Sequence, residues 1–203
     1  MGRRRFIGED DLERASEHLL AGEVVAVPTD TVYGLGVALE VTGTTMALFS
    51  KKQRPSSVAV PVMVADLWSA LALCDETARG ALRRVGEAFW PGALTLVVAR
   101  DVSCTFGLGG DGSTIGLRVP ALGGLRELCR SVGPLGVTSA NMHGGPPCTT
   151  PAQLSEVFGS ELVVLDGGEC AGTVSSVIDL TGELPVVLRE GAVSLEMVLL
   201  ALG

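Results

Sequence analysis

Two kinds of apolar segment alternate along the whole chain, and this alternation constrains the fold more than any other feature. Short β-branched runs that predict strands include "EVVAVP" (23–28), "ALTLVVA" (93–99), "TIGLRVP" (114–120) and "PVVLRE" (185–190). Between them lie runs with helical spacing, such as "EDDLERASEHLLAG" (9–22) and "DETARGALRRVGEAFW" (75–90). Strands and helices that mix in this way pack as a sheet covered by helices. We therefore predict an α/β or α+β fold, with a twisted mixed β-sheet flanked by helices in a single domain over residues 1–203.

Composition is consistent with a compact protein of the cytoplasm. The 203 residues are 47% hydrophobic and 19% charged, which is enough apolar material for a substantial core. No apolar run approaches the roughly 18 residues that would span a bilayer, and the N-terminal residues have no apolar signal region. The five cysteines are an odd number without a CxxC pair, which favours reduced thiols. We expect a cytoplasmic location and no membrane partner.

The net charge favours a small ligand, and it argues against nucleic acid as the main binding partner. The formal net charge is −8, whereas proteins that grip RNA alone usually carry a positive surplus. A local basic pocket on an acidic body suits a small anion, because it focuses positive potential at one place. The chain has two histidines, so we do not expect a histidine-based metal site.

One glycine-rich stretch imitates a dinucleotide fingerprint. Residues 107–112, "GLGGDG", match G-x-G-x-x-G, but that motif needs a strand before it and a helix after it. Here a strand pattern follows, so we interpret the stretch as a flexible loop between two strands. The P-loop pattern is absent from the sequence as well.

Several polar groups stand at the ends of predicted strands. "PTDTVYGLG" (28–36) and "TSAN" (138–141) each follow a strand, and Arg118 and Arg189 lie within strand patterns. Taken singly, each arginine could face solvent on a half-exposed strand. Taken together with Lys52 and Arg54, they favour an anion pocket at the edge of the sheet, since ligands of open α/β sheets lie beyond strand ends.

Lysine occurs at one place only in this chain. Thirteen of the 15 basic residues are arginines, and both lysines lie side by side in "KKQRP" (51–55). The two lysines could simply solubilise a helix end, where cations also offset the helix dipole. Alternatively, a site that binds several anionic groups needs a compact point charge as well as rigid arginine forks. We expect Lys52 to supply that charge, with Lys51 as a solvated neighbour.

The ordered set of motifs resembles the YrdC/TsaC-type L-threonylcarbamoyladenylate synthases. "PTDTVYGLG", "KQRP", "FWPGALT", "GLRVP", "TSAN" and "LREG" occur in the order found in that family, from about residue 10 to about residue 200. The family signature of K-x-R with S-x-N corresponds here to Lys52 with Arg54 and to Ser139 with Asn141. The resemblance implies a twisted mixed sheet with a deep basic cavity, in the short form that lacks a second domain.

The resemblance also implies a reaction and its partners. L-Threonine and bicarbonate give N-carboxythreonine, which attacks the α-phosphorus of ATP to form L-threonylcarbamoyl-AMP and pyrophosphate. ATP is a substrate that enters with Mg²⁺. Other proteins then transfer the threonylcarbamoyl group to an adenosine of tRNA, and a weak direct contact with tRNA is compatible with this role.

Site residues follow from the resemblance by matching motif to motif. It implies that Lys52 and Arg54 are catalytic and bind ATP. L-Threonine would be bound by Thr31, Arg118, Val137 and Ser175. ATP would also contact Thr114, Ser139, Asn141 and Arg189. For Thr31, Ser175 and Asn141, a purely structural role as a turn or strand residue is the alternative.

The chain departs from the family at a few positions. Some relatives carry an asparagine and a histidine where this chain has Val58 and Met63, and His143 and Gly145 replace the more usual residues after S-x-N. Two other functions remain open from sequence: a related carbamoyl-adenylate enzyme, as in hydrogenase maturation, and a non-catalytic RNA-binding module of the same fold.

Overall fold

A computed structural model describes residues 7–53, 55–142 and 144–203. Within these ranges nine strands form one mixed sheet in the order β7-β1-β2-β6-β3-β5-β4-β8-β9. The strands are β1 (Val25–Val27), β2 (Gly34–Ala38), β3 (Val62–Met63), β4 (Leu94–Ala99), β5 (Thr114–Arg118), β6 (Leu135–Ser139), β7 (Val163–Val164), β8 (Ser176–Asp179) and β9 (Val186–Arg189). The predicted fold class, a twisted mixed sheet flanked by helices, is confirmed.

Strand directions are mixed throughout the sheet. The pairs β1–β7, β3–β5 and β4–β8 are parallel, whereas β1–β2, β2–β6, β3–β6, β4–β5 and β8–β9 are antiparallel. Because neighbouring strands run in opposite directions, their carboxyl ends do not gather along one edge. A site that uses several strand ends must therefore extend across the sheet.

Helices cover both faces of the sheet. The α-helices found in the described ranges are α1 (Glu9–Leu20), α2 (Thr44–Lys52), α3 (Leu67–Leu71), α4 (Arg79–Phe89), α5 (Gly123–Val132), α6 (Pro151–Phe158) and α7 (Leu195–Leu202). Buried residues of α1 and α5 form one core with alternate residues of the central strands. Buried residues of α2, α3, α4, α6 and α7 form a second core with the intervening strand residues. The two cores lie on opposite faces, as the period of two in a strand requires.

Local sequence explains most helix boundaries. Thr150 caps α6 by accepting a hydrogen bond from the Gln153 amide, and Pro151 occupies the first helical position. The predicted helix over "DETARGALRRVGEAFW" begins with a 3₁₀ turn (Glu76–Ala78) and continues as α4. The segment "GTTMALFSKK" forms α2, which ends at Lys52, and Gln53 closes it with a left-handed backbone (φ 53°).

Two elements are not predicted from sequence: strand β2 and helix α3. Strand β2 follows the polar stretch "PTDTVY" and contains two glycines, a residue type that is depleted in strands, so no strand was predicted there. Helix α3 is a single short turn beyond Asp66. The "GLGGDG" stretch lies between β4 and β5 as predicted, and its backbone is fixed by hydrogen bonds from Val60 to Leu108 and from Gly110 to Ser56.

No helix among the residues described is both long and apolar enough to cross a membrane.

Candidate functional site

A cavity of about 290 Å³ opens over the central strands. Six residues predicted from sequence as ligand contacts lie in its wall: Thr31, Arg118, Val137, Ser139, Ser175 and Arg189. Arg118, Ser139 and Arg189 are each the last residue of a strand. Met63 and Val137, which belong to the middle of the sheet, also line the cavity. The predicted pocket at the edge of the sheet therefore extends inward across its face, because the strand ends that build it point in different directions.

Arg118 is the more enclosed of the two arginines in the cavity wall. Its side chain is 5% exposed, and Nη2 lies 2.9 Å from Asp30 Oδ1 in a buried ion pair. Nε donates to the Gly92 carbonyl oxygen (3.0 Å), and Nη1 donates to Thr31 Oγ1 (3.3 Å). Burial lowers the pKa of the Arg118 guanidinium, and the Asp30 carboxylate opposes that shift. The arginine stays charged in a dry environment because a carboxylate and two neutral oxygens hold it.

Asp30 was not predicted from sequence as a site residue. Besides pairing with Arg118, its Oδ1 accepts a hydrogen bond from the Ala121 amide (3.1 Å). It therefore ties the loop after β1 to the turn after β5, on either side of the cavity. The two partners are far apart in sequence, and no local pattern marks such a pair.

Arg189 enters the same cavity from β9 and is held by one residue. Its Nε donates to the Ser175 carbonyl oxygen (2.9 Å), and Nη2 donates to Ser175 Oγ (2.8 Å). Burial lowers the pKa of Arg189, and the positive charge of Arg118 lowers it further. Two guanidinium groups thus raise the positive potential of one small cavity, which favours an anionic ligand there.

The predicted lysine is buried at the cavity wall. Lys52 is 2% exposed, and it comes from α2, which packs on the sheet face opposite to α1 and α5. Its three N–H donors are shared among four oxygens within hydrogen-bond distance of Nζ: Ser139 O (2.6 Å), Ser139 Oγ (3.0 Å), Thr138 Oγ1 (3.0 Å) and Asn141 Oδ1 (2.9 Å). The K-x-R and S-x-N motifs therefore meet in space through Lys52. The ammonium group itself is enclosed, so Lys52 is more deeply buried than a lysine that merely lines a pocket.

A second network fixes the backbone next to Lys52. Ser139 Oγ donates to Asn141 Oδ1 (2.7 Å), and Asn141 Nδ2 donates to the carbonyl oxygen of Gly145. Asn141 is 9% exposed. The asparagine therefore holds the loop that follows β6 and offers one oxygen to the ammonium group, which combines a structural role with contact to the site.

Thr31 belongs to a compact network of hydroxyl groups. Thr29 Oγ1 accepts hydrogen bonds from the Thr31 amide (3.0 Å) and the Val32 amide (3.1 Å), and it lies 2.7 Å from Thr31 Oγ1. Tyr33 donates from its hydroxyl group to the Gly168 carbonyl oxygen (2.8 Å). These bonds fix the loop after β1 as one wall of the cavity. The hydroxyl group that bonds the backbone of this turn is that of Thr29, whereas Thr31 Oγ1 lies beside Arg118 Nη1.

Gly34 leaves room for the floor of the cavity. A Cβ atom at this position would lie well inside van der Waals distance of Val137 Cγ1 and 3.2 Å from the Thr138 carbonyl oxygen. Gly34 pairs with Ser139 across the β2–β6 ladder. A glycine here lets β2 and β6 approach closely below the ligand space.

The remaining predicted residues lie elsewhere. Thr114 is the first residue of β5, four positions from Arg118, and it is not in the cavity wall. Arg54 and His143 lie outside the described residues. Of the departures from the family, Met63 lines the cavity and Val58 is exposed. The residues that sequence reasoning missed in the wall include Thr29, Thr95 and Pro147.

Comparison with known proteins gives a family match over most of the chain. The profile of the Sua5/YciO/YrdC family, described as telomere recombination, matches residues 17–191. A protein of Mycobacterium tuberculosis, provisionally named as a threonylcarbamoyl-AMP synthase, is 41% identical over 187 residues, which are 90% of this chain and 85% of the relative. The threonylcarbamoyl-AMP synthase of Pyrococcus abyssi is 32% identical over 98% of this chain and 59% of its own length.

Solved structures give the same relationship. The crystal structure of P. abyssi Sua5 complexed with L-threonine superposes with a TM-score of 0.89 at 32% identity, over 98% of this chain and 59% of that one. The crystal structure of Escherichia coli YciO superposes with a TM-score of 0.82 at 25% identity, over 96% and 95% of the two chains. The chain thus spans about three fifths of the P. abyssi protein and nearly all of YciO.

Proposed function

Because the chain belongs to the Sua5/YciO/YrdC family, we propose that it is a threonylcarbamoyl-AMP synthase, which makes L-threonylcarbamoyl-AMP and pyrophosphate from L-threonine, bicarbonate and ATP. Relatives that carry this name support the proposal, with identities from 41% to 29% among those most similar. The P. abyssi structure with L-threonine supports it for the amino-acid substrate.

One observation carries the proposal at the level of chemistry: two guanidinium groups line one cavity, and an ammonium group is bonded to its wall. Arg118 and Arg189 lie in its wall, and the Lys52 ammonium group is bonded to the wall residue Ser139. A triphosphate and the two carboxylate groups of N-carboxythreonine carry several negative charges that must share a small space. Concentrated positive charge is what such a set of ligands requires.

The proposed reaction has two steps. The threonine nitrogen forms a bond to the carbon of bicarbonate and loses a proton, while the bicarbonate carbon loses hydroxide, so that N-carboxythreonine and water result. A carbamate oxygen then forms a bond to the α-phosphorus of ATP, and the bond from that phosphorus to the β-phosphate oxygen breaks with release of pyrophosphate. Negative charge grows on the oxygens around the α-phosphorus, and fixed cations stabilise it.

In this proposal the cavity has a threonine side around Arg118 and a phosphate side around Lys52 and Arg189. Arg118 binds the α-carboxylate of threonine, with Thr31, Ser175 and the Val137 backbone beside it. Donors that are held in place by a carboxylate and two oxygens need no reorganisation when the substrate arrives.

The phosphate side of the proposal rests on Lys52 and Arg189, together with Ser139 and Asn141. Lys52 is a compact charge at the end of a helix, and Arg189 offers a planar fork. Arg54 completes the K-x-R pair as a second catalytic cation in this proposal. The predicted contact of Thr114 with ATP stays a prediction.

Mg²⁺ enters this proposal with the nucleotide. In the portions that the structure describes, no group of three or more His, Cys, Asp or Glu side chains could hold a metal ion. Mg²⁺ at nucleotide sites is commonly bound by substrate phosphates and water with few protein ligands, and the proposal gives it that role here. We expect pyrophosphate release to stop when a chelator removes Mg²⁺ and to recover when Mg²⁺ is added back. Recovery with Zn²⁺ alone would contradict this part of the proposal.

The proposal extends to location and partners. Free L-threonine, bicarbonate and ATP are available together in the cytoplasm, which is where we place the protein. Threonylcarbamoyl-AMP is an activated acyl donor, so a protein that transfers the threonylcarbamoyl group to tRNA must act next. A weak direct contact with tRNA is part of the same proposal.

The decisive test is pyrophosphate release by the purified chain. ATP, bicarbonate and Mg²⁺ are combined with each of the common amino acids in turn, and reactions that omit one substrate serve as controls. We expect release with L-threonine and little with L-valine, because valine leaves a buried hydroxyl-binding group without its partner. Equal rates with threonine and valine, or release that does not depend on bicarbonate, would contradict the proposed function.

A further inference from the structure

The chain just after β9 lies directly on the chain just before β8. Arg189 donates two hydrogen bonds to Ser175, one to its carbonyl oxygen and one to its hydroxyl oxygen. Four residues later, Val193 makes two hydrogen bonds with the hydroxyl group of Ser176: its amide donates to Oγ (2.9 Å), and its carbonyl oxygen accepts from Oγ (2.6 Å). Ser176 is fully buried. The segment 189–193 is therefore fastened at both ends.

Gly191 lies at the closest point between these two segments. A Cβ atom on Gly191 would be 2.5 Å from the Ser175 carbonyl carbon and 2.7 Å from the Val174 carbonyl oxygen, and closer still to the Ser176 amide nitrogen. All three atoms belong to the backbone, so no side-chain rotation could relieve the contact. The requirement for glycine here comes from space and not from backbone conformation, since φ at Gly191 is not in the left-handed region.

We propose that Gly191 is a positioning residue for the reaction, because its close fit against residues 174–176 holds the Arg189 guanidinium in the cavity. This inference rests on the proposed function, in which Arg189 binds ATP. Segment 189–193, with Gly191 at its centre and Ser176 as its buried anchor, is called the clamp below.

Electrostatics explains why Arg189 needs a clamp. Its charge is close enough to that of Arg118 for the pKa of Arg189 to be lowered by it. Like charges repel, and a long side chain on an edge strand is free to turn toward solvent. Among the described residues, both hydrogen bonds of the Arg189 side chain go to Ser175, so lifting the chain away from Ser175 removes what holds the guanidinium against this repulsion.

A double-mutant cycle tests the proposal. Gly191→Ala, Arg189→Ala and the double variant are compared with the wild-type protein by kcat/KM for pyrophosphate release. We expect each single change to lower kcat/KM about tenfold, as for the loss of hydrogen bonds from a charged group. If Gly191 acts through Arg189, the double variant is within about twofold of Arg189→Ala; independent effects would multiply to about a hundredfold. A hundredfold loss in the double variant would overturn the proposal.

Gly182→Ala is the matched control. Gly182 lies in the turn between β8 and β9, and the nearest atom to a Cβ there is the Leu184 carbonyl oxygen at 3.6 Å, an ordinary contact. This variant adds the same methyl group to the same hairpin without pressing on Ser175. It should retain wild-type kcat/KM, and a tenfold loss in Gly182→Ala would overturn the assignment of the effect to position 191.

A second variant covers the case in which Gly191→Ala does not fold. Ser176→Ala removes the anchor of the clamp without adding volume, and it enters the same cycle with Arg189→Ala. Calorimetric titration with ATP is measured on every variant as a readout independent of turnover. A wild-type protein that binds ATP but releases no pyrophosphate would count against the proposed function alone. ATP affinity unchanged by Gly191→Ala and by Ser176→Ala would count against the clamp alone.

Discussion

Arg118 and Arg189 both end a strand and both enter the same cavity, yet the protein holds them in different ways. Arg118 is enclosed, with a carboxylate, a hydroxyl and a carbonyl oxygen as acceptors. Arg189 is more exposed, and its acceptors are the hydroxyl and carbonyl oxygens of one serine. A buried charge is tolerated only when it is paired, so Arg118 contributes to folding as well as to the site. Arg189 has little structural role of its own, and its position depends on the chain around it.

The largest effect should come from breaking the buried pair. Arg118→Ala leaves the largely buried Asp30 carboxylate with the hydrogen bond from the Ala121 amide but without its cation, and we expect the free energy of unfolding to fall by about 3–5 kcal/mol. Urea denaturation measures this change. A double variant with Asp30→Asn should recover part of the loss, because no uncompensated charge is then buried.

A loss below about 1 kcal/mol for Arg118→Ala, which is the size expected of an exposed ion pair, would show that Arg118 and Arg189 do not differ in the way described.

Lys52 is an intermediate case between Arg118 and Arg189. It is as buried as Arg118, but its four described hydrogen bonds go to hydroxyl, carbonyl and amide oxygens. Lys52→Ala should lower the rate of adenylate formation about a hundredfold or more, because in the proposed mechanism this cation stabilises the transferring phosphate. The same change should lower stability by about 1–3 kcal/mol, because buried acceptors lose their donor. Pyrophosphate release and thermal melts measure the two effects.

Lys51→Ala is the control for Lys52, since Lys51 is partly exposed at the preceding position of α2. It should keep nearly full activity and stability. If Lys51→Ala were the inactive variant, the assignment of Lys52 as the phosphate-binding lysine would be wrong.

The smallest effect on folding should come from Arg189. Arg189→Ala should change the free energy of unfolding by less than about 1 kcal/mol, as is typical of an exposed charged group, while kcat/KM falls about tenfold. Arg189→Lys should restore little, because lysine cannot offer the two-pronged contact to Ser175. Equilibrium unfolding and steady-state kinetics on the same preparations measure the stability and kcat/KM of the Arg189 variants. A stability loss equal to that of Arg118→Ala would contradict the distinction between the two arginines.

The two arginines also show how far the sequence could predict the site. Arg118 and Arg189 were identified because a charged residue stands out in an apolar strand, and the motif pattern joined Lys52 to Asn141. Asp30 was missed because its pairing with Arg118 exists only after folding. Strand β2 was not predicted because it contains glycine. Gly34 is needed for the close approach to Val137, and a local pattern cannot show which distant residue packs against a glycine.

The burial of Lys52 could not be predicted for a related reason. The end of α2 and the acceptors on and after β6 belong to different parts of the chain, and sequence periodicity describes one element at a time. The mixed strand order likewise depends on long-range pairing, which no local signal determines.

The span of the cavity along the chain has a consequence for biosynthesis. Its wall runs from Thr29 to Arg189, and the clamp ends at Val193. Strand β7 completes one side of the sheet next to β1, and β8 and β9 complete the other next to β4. A nascent chain on the ribosome therefore has no finished site until it has emerged as far as Val193, and ligands that bind only the native state cannot stabilise it earlier. Until then the growing chain must rely on its own apolar contacts or on chaperones, whatever the concentration of ATP or threonine around it.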